Sequence, residues 1–161
     1  GAGGAARAVA LALARERVAS LTVAARTVTA AERLIERLGP AFGDSELRVV
    51  PLDQLAPADV ATATLVVNAT PLGMAEDLKL PSVVVDTLRR GQVVVDLVYG
   101  ERPTNLLTGS RMRGARTVDG LSMLVWQAAA AFQLWTGRPA PVDVMRSAAR
   151  ARRGTAQEET S

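Results

Sequence analysis

The chain opens Gly1-Ala2-Gly3-Gly4-Ala5 and runs on into a stretch rich in Ala and Leu, the form that G-x-G-x-x-G/A takes between a strand and a helix. Glycines in such a turn leave backbone N–H groups and the positive end of a helix dipole open to an anion, and they let a pyrophosphate approach the main chain. Alone, the pattern describes equally well a tight turn packed with small residues. In a dinucleotide fold that prefers NAD, an acidic residue about 20 positions further on accepts the ribose hydroxyls. Here that region reads Ala25-Arg26-Thr27. An acid would repel a 2′-phosphate, whereas a guanidinium pairs with it bidentately and lies on the adenine face, with the Thr27 hydroxyl as a further donor. The expected cofactor is therefore NADP rather than NAD, with an ordinary exposed arginine as the alternative reading of Arg26.

Other polar residues fall at strand ends. Asn68 and Thr70 follow a short apolar run, where they either bond a cofactor ribose or cap the loop. Asp96 lies late in the strongest strand of the chain and reads as a structural hydrogen-bond acceptor, since an ionised group there needs partners. Tyr99, the one tyrosine, follows at that strand's carboxyl end and is a candidate to bond a substrate hydroxyl or carboxylate, or simply to pack. Gln127 sits among Ala and Trp on a long helix, so a buried amide is expected there, with a polar ligand as its partner.

Composition removes much other chemistry. There is no Cys and no His, so disulfides, thiolate nucleophiles, sulfur-ligated metals and the commonest general base are all absent, and no metal site is expected. The net charge is only +3, and Lys79 is the one lysine. Arg146, Arg150, Arg152 and Arg153 concentrate near the carboxyl end without interleaved aromatics, which argues against nucleic-acid binding and for a solvated last helix. Mean hydropathy is +0.15 and no apolar run approaches the ~20 residues of a membrane span. Without a signal-peptide pattern, the expected location is the cytoplasm.

These residues need elements to hold them. The pattern predicts a helix over 7–18, a strand over 20–25, and a helix over 29–38 with Thr29 and Glu32 as a capping box and Gly39-Pro40 as its stop. Strands follow over 47–52 and 64–68, with a helical connection between them, then a loop over 69–80. Val83-Val84-Val85 suits a strand by propensity, yet Pro81 and the short reach to Gly91 favour one turn of helix. A strand over 92–97, a helix over 104–113, a short strand over 116–118, a long helix over 121–134 and a final helix from about Pro141 complete the chain. Trp126, Phe132 and Trp135 fall on more than one face of the long helix, which suits a core or a helix wedged between two bodies. Alternating strands and helices indicate an α/β fold, a Rossmann-like doubly wound parallel sheet lacking the strand that a glycine turn at residue 1 requires ahead of it. The domain is expected over 1–153, with a flexible polar tail over 154–161.

Taken together, five motifs resemble the C-terminal NADP-binding domain of the shikimate/quinate dehydrogenase family: GAGGAARA, ARTVTAAERL from Ala25, VNATPLGM from Val67, VVVDLVYGERPTNLL from Val93 and DGLSMLVWQAAAAFQLWTG from Asp119. They come in the family's order and spacing. The resemblance implies reversible hydride transfer between NADP(H) and the 3-dehydroshikimate/shikimate pair, a step towards chorismate and the aromatic amino acids. It implies that Gly1, Ala2, Gly3, Gly4 and Ala5 hold the pyrophosphate, that Ala25, Arg26 and Thr27 read the 2′-phosphate, and that Asn68 and Thr70 bind cofactor. Leu97 and Gly120 would meet the nicotinamide end through main chain with Met123 packing nearby, and Tyr99 and Gln127 would bind substrate. Departures are Ala25 for the family's Asn, Ala30 for its second basic residue, Ser122 for Gly or another small residue, and Glu101 for Pro. The family's catalytic Lys and Asp lie on an N-terminal domain with no counterpart here, and Lys79 does not replace them. The expectation is thus half of an enzyme, inactive alone, whose partners are its substrate, the N-terminal domain and a second copy in a homodimer. Alternatives are a paralogue using quinate or an aminoshikimate with NAD, and a stand-alone NADP-sensing module.

Overall fold

The computed structural model describes residues 1–75, 77–100 and 102–158, with side chains described as far as residue 151. Glu101 lies outside the described residues. Helix α1 (Gly4–Arg15) begins ahead of the predicted start because Gly3 adopts an extended conformation and the small residues after it wind at once. Its buried face is Ala6, Ala10 and Ala14, a stripe at i, i+4 spacing that lets a helix lie close to what it covers. Strand β1 (Ser20–Ala25) matches its prediction. Helix α2 (Val28–Leu38) is capped by Thr27, not Thr29. The Thr27 carbonyl accepts from the N–H groups of Ala30 and Ala31, so Thr29 already lies inside the first turn and the predicted capping box does not form.

Strand β2 (Glu46–Pro51), helix α3 (Pro57–Thr62) and strand β3 (Leu65–Asn68) follow. Helix α4 (Ser82–Asp86) confirms the helical turn at the valines: Pro81 is extended and sets its start. Strand β4 (Val93–Asp96), helix α5 (Asn105–Met112), strand β5 (Arg116–Asp119), helix α6 (Gly120–Thr136) and helix α7 (Val142–Glu158) complete the order. Helix α7 thus enters the segment expected to be a polar tail.

Every strand pair is parallel, as the alternation with helices requires, but the strands form two sheets, β1-β2 and β3-β4-β5. Each sheet has its own core. Val23, Ala25, Ala31, Leu34 and Phe42 join the alanine stripe of α1 in one, while Val60, Val84, Leu88, Val94, Leu106 and Ala115 make the other. The second core carries an internal polar fastener, Gln92, which is 1% exposed. Its Nε2 donates to the carbonyls of Val60 and Ala63, each at 2.7 Å, and its Oε1 accepts from the Arg89 N–H at 2.7 Å. With both ends satisfied, a buried amide costs little and ties the end of α3 to β4.

Candidate functional site

In parallel strands all carboxyl ends share one edge, and ligands of open α/β sheets sit outside it. Pairing puts Asn68 beside Asp96, and Asp96 beside Asp119, along that edge of the three-stranded sheet. Asp96 is fully buried. Its Oδ1 accepts from Asn68 Nδ2 at 2.9 Å and from the Val98 N–H at 3.1 Å, and its Oδ2 accepts from Thr104 Oγ1 at 2.5 Å. The acceptor role read from the sequence is therefore what the fold uses. Asn68 passes the order on: Nδ2 also donates to the Leu72 carbonyl, while Oδ1 accepts from Thr70 Oγ1 at 2.6 Å and the Thr70 N–H at 3.1 Å. Thr70 Oγ1 then accepts from the Leu72 N–H at 3.1 Å.

This chain of bonds fixes the strand ends and the loops that leave them. It also turns Asn68 and Thr70 inward, so their side chains serve the loop in this structure, the capping alternative left open by the sequence. Thr104, which the sequence gave no role in the site, belongs to the same network. It caps α5 by accepting from the Leu107 N–H while donating to Asp96. A Thr ahead of a helical run was the available signal.

Two glycines are dictated by close backbone approach. A Cβ on Gly120 would overlap the Leu97 carbonyl, so only glycine lets α6 start against the end of β4. Leu97 and Gly120 are thereby brought together. Met123 and Gln127 follow Gly120 at helical spacings that keep the three residues on one side of α6. Gln127 is exposed, not buried. The helix face expected to enclose it is open: Trp126 is 59%, Leu134 83% and Trp135 85% exposed, while Phe132 is partly buried. Tyr99 also faces solvent, just past β4.

At the other sheet, a Cβ on Gly1 would lie 2.7 Å from the Ala69 carbonyl oxygen, and the Gly1 nitrogen donates to the Ala24 carbonyl at 2.6 Å. Gly3 and Gly4 differ, for a Cβ on either meets nothing within 4 Å. They stand at the open N-terminus of α1, whose first turn holds no acidic residue to neutralise its dipole. Ala2 and Ala5 are partly buried on either side of them. Ala25 is buried, and Arg26 and Thr27 are exposed immediately beyond it. The edge can thus offer an anion free N–H groups, a helix dipole and one guanidinium.

Residues 120–150 match the family model described as the shikimate 5′-dehydrogenase C-terminal domain. The chain is 46% identical over 157 residues to the shikimate dehydrogenase (NADP(+)) of Moorella thermoacetica, covering 90% of this chain and 49% of that protein. Among solved structures, quinate dehydrogenase from Corynebacterium glutamicum in complex with NAD superposes with a TM-score of 0.80 at 35% identity, covering 91% of this chain and 51% of that one. Shikimate 5-dehydrogenase from Listeria monocytogenes in complex with shikimate and NAD gives 0.77 at 30% identity, covering 91% and 53%. The chain spans about half the length of the curated relatives it matches. No helix among the described residues is long and apolar enough to cross a membrane.

Proposed function

We propose that this chain, which is similar to shikimate dehydrogenases over about half of their length, is a member of that family and the cofactor-holding half of a cytoplasmic enzyme that interconverts 3-dehydroshikimate and shikimate with NADP(H). The observation that carries the reading is the open space over Gly3 and Gly4 at an uncompensated helix N-terminus, with exposed Arg26 at the end of the adjacent strand. A dinucleotide fits such a surface: its pyrophosphate takes the free N–H groups of the first turn of α1, and a 2′-phosphate takes the guanidinium of Arg26 and the hydroxyl of Thr27.

When bound, the nicotinamide supplies or receives the hydride. The residues of this chain bind and orient. Leu97 and Gly120 offer main chain at the end of β4 and the start of α6, Met123 an apolar surface, and Tyr99 and Gln127 polar groups for substrate. Reduction of a ketone also requires a proton donor near the developing alkoxide. With no His, no Cys and its single lysine, Lys79, exposed in the loop between β3 and α4, this chain supplies no obvious donor for that step. In this reading the donor comes from the remainder of the protein, and the exposed face of α6 around Trp126 and Trp135 is the surface offered to it.

Calorimetric titration of this chain with NADP+ and NAD+ tests the reading. It expects NADP+ to bind more tightly by about tenfold, the worth of one charge-assisted pair, and expects no turnover of shikimate. Equal affinities would favour a second reading, an NAD-dependent quinate dehydrogenase. That reading draws on Ala30, which leaves Arg26 without a second cation, and on the likeness to a quinate dehydrogenase in complex with NAD.

A further inference from the structure

One side-chain bond ties the start of α5 to the end of β4. Thr104 Oγ1 donates to Asp96 Oδ2 at 2.5 Å across 8 positions of sequence, and so closes the loop that carries Leu97, Val98 and Tyr99. Among the described residues Thr104 is the only hydrogen-bond partner of Oδ2, whereas Oδ1 accepts from both Asn68 Nδ2 and the Val98 N–H. Resting on the cofactor reading above, we propose that Thr104 is a positioning residue for the nicotinamide end of the dinucleotide and leaves the adenosine end untouched.

With Thr104 in place, both carboxylate oxygens of Asp96 are held and the plane of the group is fixed. The torsion that turns that plane is soft, so the hold comes from the partners and not from the side chain itself. Asp96 has no exposure, and without Thr104 its Oδ2 would be an unpaired anionic oxygen in a dry site. The nearest relief is rotation towards the donors that serve Oδ1, and one of these is the main chain of the loop. That main chain has left the sheet, since β4 ends at Asp96. Beyond it the Leu97 N–H donates to the Asn68 carbonyl at 3.0 Å and the Val98 N–H to Asp96 at 3.1 Å. The Leu97 carbonyl lies against Gly120, where a Cβ would overlap it, so a tilt of this peptide is passed straight to the start of α6.

Thr104 is itself well anchored. Its Oγ1 accepts from the Leu107 N–H at 3.3 Å as the cap of α5, and Leu106 and Leu107 root that helix in the interior. Its methyl lies beside Gly73, where a Cβ would meet it at 3.8 Å. The loop that offers Leu97, Val98 and Tyr99 is therefore referenced to a packed helix through one hydroxyl. The residues assigned to the adenosine end stand elsewhere: Gly3 and Gly4 open α1, and Arg26 and Thr27 follow β1, the strand of the other sheet, which has a core of its own. Among the described residues no hydrogen bond joins any of the four to Asp96 or Thr104. A shift of the 97–98 main chain thus reaches one end of the dinucleotide and not the other.

Calorimetric titration of the 161-residue chain with NADP+ and with adenosine 2′,5′-bisphosphate, which has the 2′-phosphate but no nicotinamide, separates the two ends. Thr104→Val keeps the methyl beside Gly73 and removes the proton that Asp96 accepts. At a temperature where both chains are folded, it should weaken NADP+ by about fivefold and leave the bisphosphate within about twofold. Thr104→Ser restores the hydroxyl and should restore NADP+ affinity. A merely structural role lowers the unfolding midpoint and leaves both affinities unchanged or weakens both alike; either result overturns the proposal. Should Thr104→Val not fold, amide exchange in the unaltered chain carries the test, because coupling is reciprocal. Measured against the amides of β1, saturating NADP+ should then slow exchange at Val98 and Leu107 by about fivefold more than the saturating bisphosphate does. Equal slowing overturns the proposal and leaves the cofactor reading standing. An unaltered chain that binds neither ligand overturns that reading, and this assignment with it.

Discussion

The two sheets hold their ligand-facing ends by different means. At the end of β3 and β4, buried side chains do the holding: Asp96, Asn68, Thr70 and Thr104 satisfy one another and leave no described buried side-chain polar atom without a partner. At the end of β1, backbone does it: Gly1 fits against Ala69 because it has no side chain, and Gly3 and Gly4 face open space. The first arrangement is closed and loses much when one member is removed. The second is open, and its glycines contribute by what they leave vacant.

The largest test of that contrast is Asp96→Ala. It strips the acceptor from Asn68 Nδ2, the Val98 N–H and Thr104 Oγ1 in a site with no exposure. Each orphaned donor costs about 1–3 kcal/mol, so a loss of about 4 kcal/mol is expected in denaturant unfolding. Asp96→Asn keeps one oxygen acceptor and an amide that Thr104 Oγ1 can accept from, and should lose less than half as much. A loss below about 1 kcal/mol for Asp96→Ala would mean that the network is incidental to the fold.

The glycines allow a sharper comparison within one loop. Gly1→Ala forces a methyl to 2.7 Å from a backbone oxygen and should cost about 2 kcal/mol. Gly4→Ala adds a good helix former where nothing lies within 4 Å, and stability should rise by about 0.5 kcal/mol. Its methyl nevertheless occupies the space assigned to a pyrophosphate, so NADP+ affinity should fall by about tenfold. Paired unfolding and titration curves check both. If Gly4→Ala left affinity unchanged, the open face of α1 would not be the phosphate surface.

Arg26→Gln should be smaller still in stability, within about 0.5 kcal/mol, because Arg26 is exposed and makes no ion pair among the described residues. Its effect belongs to discrimination: NADP+ should weaken by about tenfold while NAD+ is unchanged. Equal weakening of the two cofactors would move the guanidinium from the 2′-phosphate to the shared adenosine.

How much of this was legible in the sequence follows the same division. Periodicity and turn residues identify strands and helices well where burial and local preference agree, as in β1 and β4. They misplace the start of α2, because Thr27 and Thr29 are equally good caps by type and only the length of the turn after Ala25 chooses between them. The role of Asp96 was readable because an ionisable group in an apolar strand must have partners. Thr104 as one of those partners was not, since the contact depends on how α5 folds back over β4. Gln127 failed for the opposite reason. Apolar neighbours usually mean burial, but on α6 two of those neighbours, Trp126 and Ala128, are themselves exposed, so composition alone could not show which face is covered.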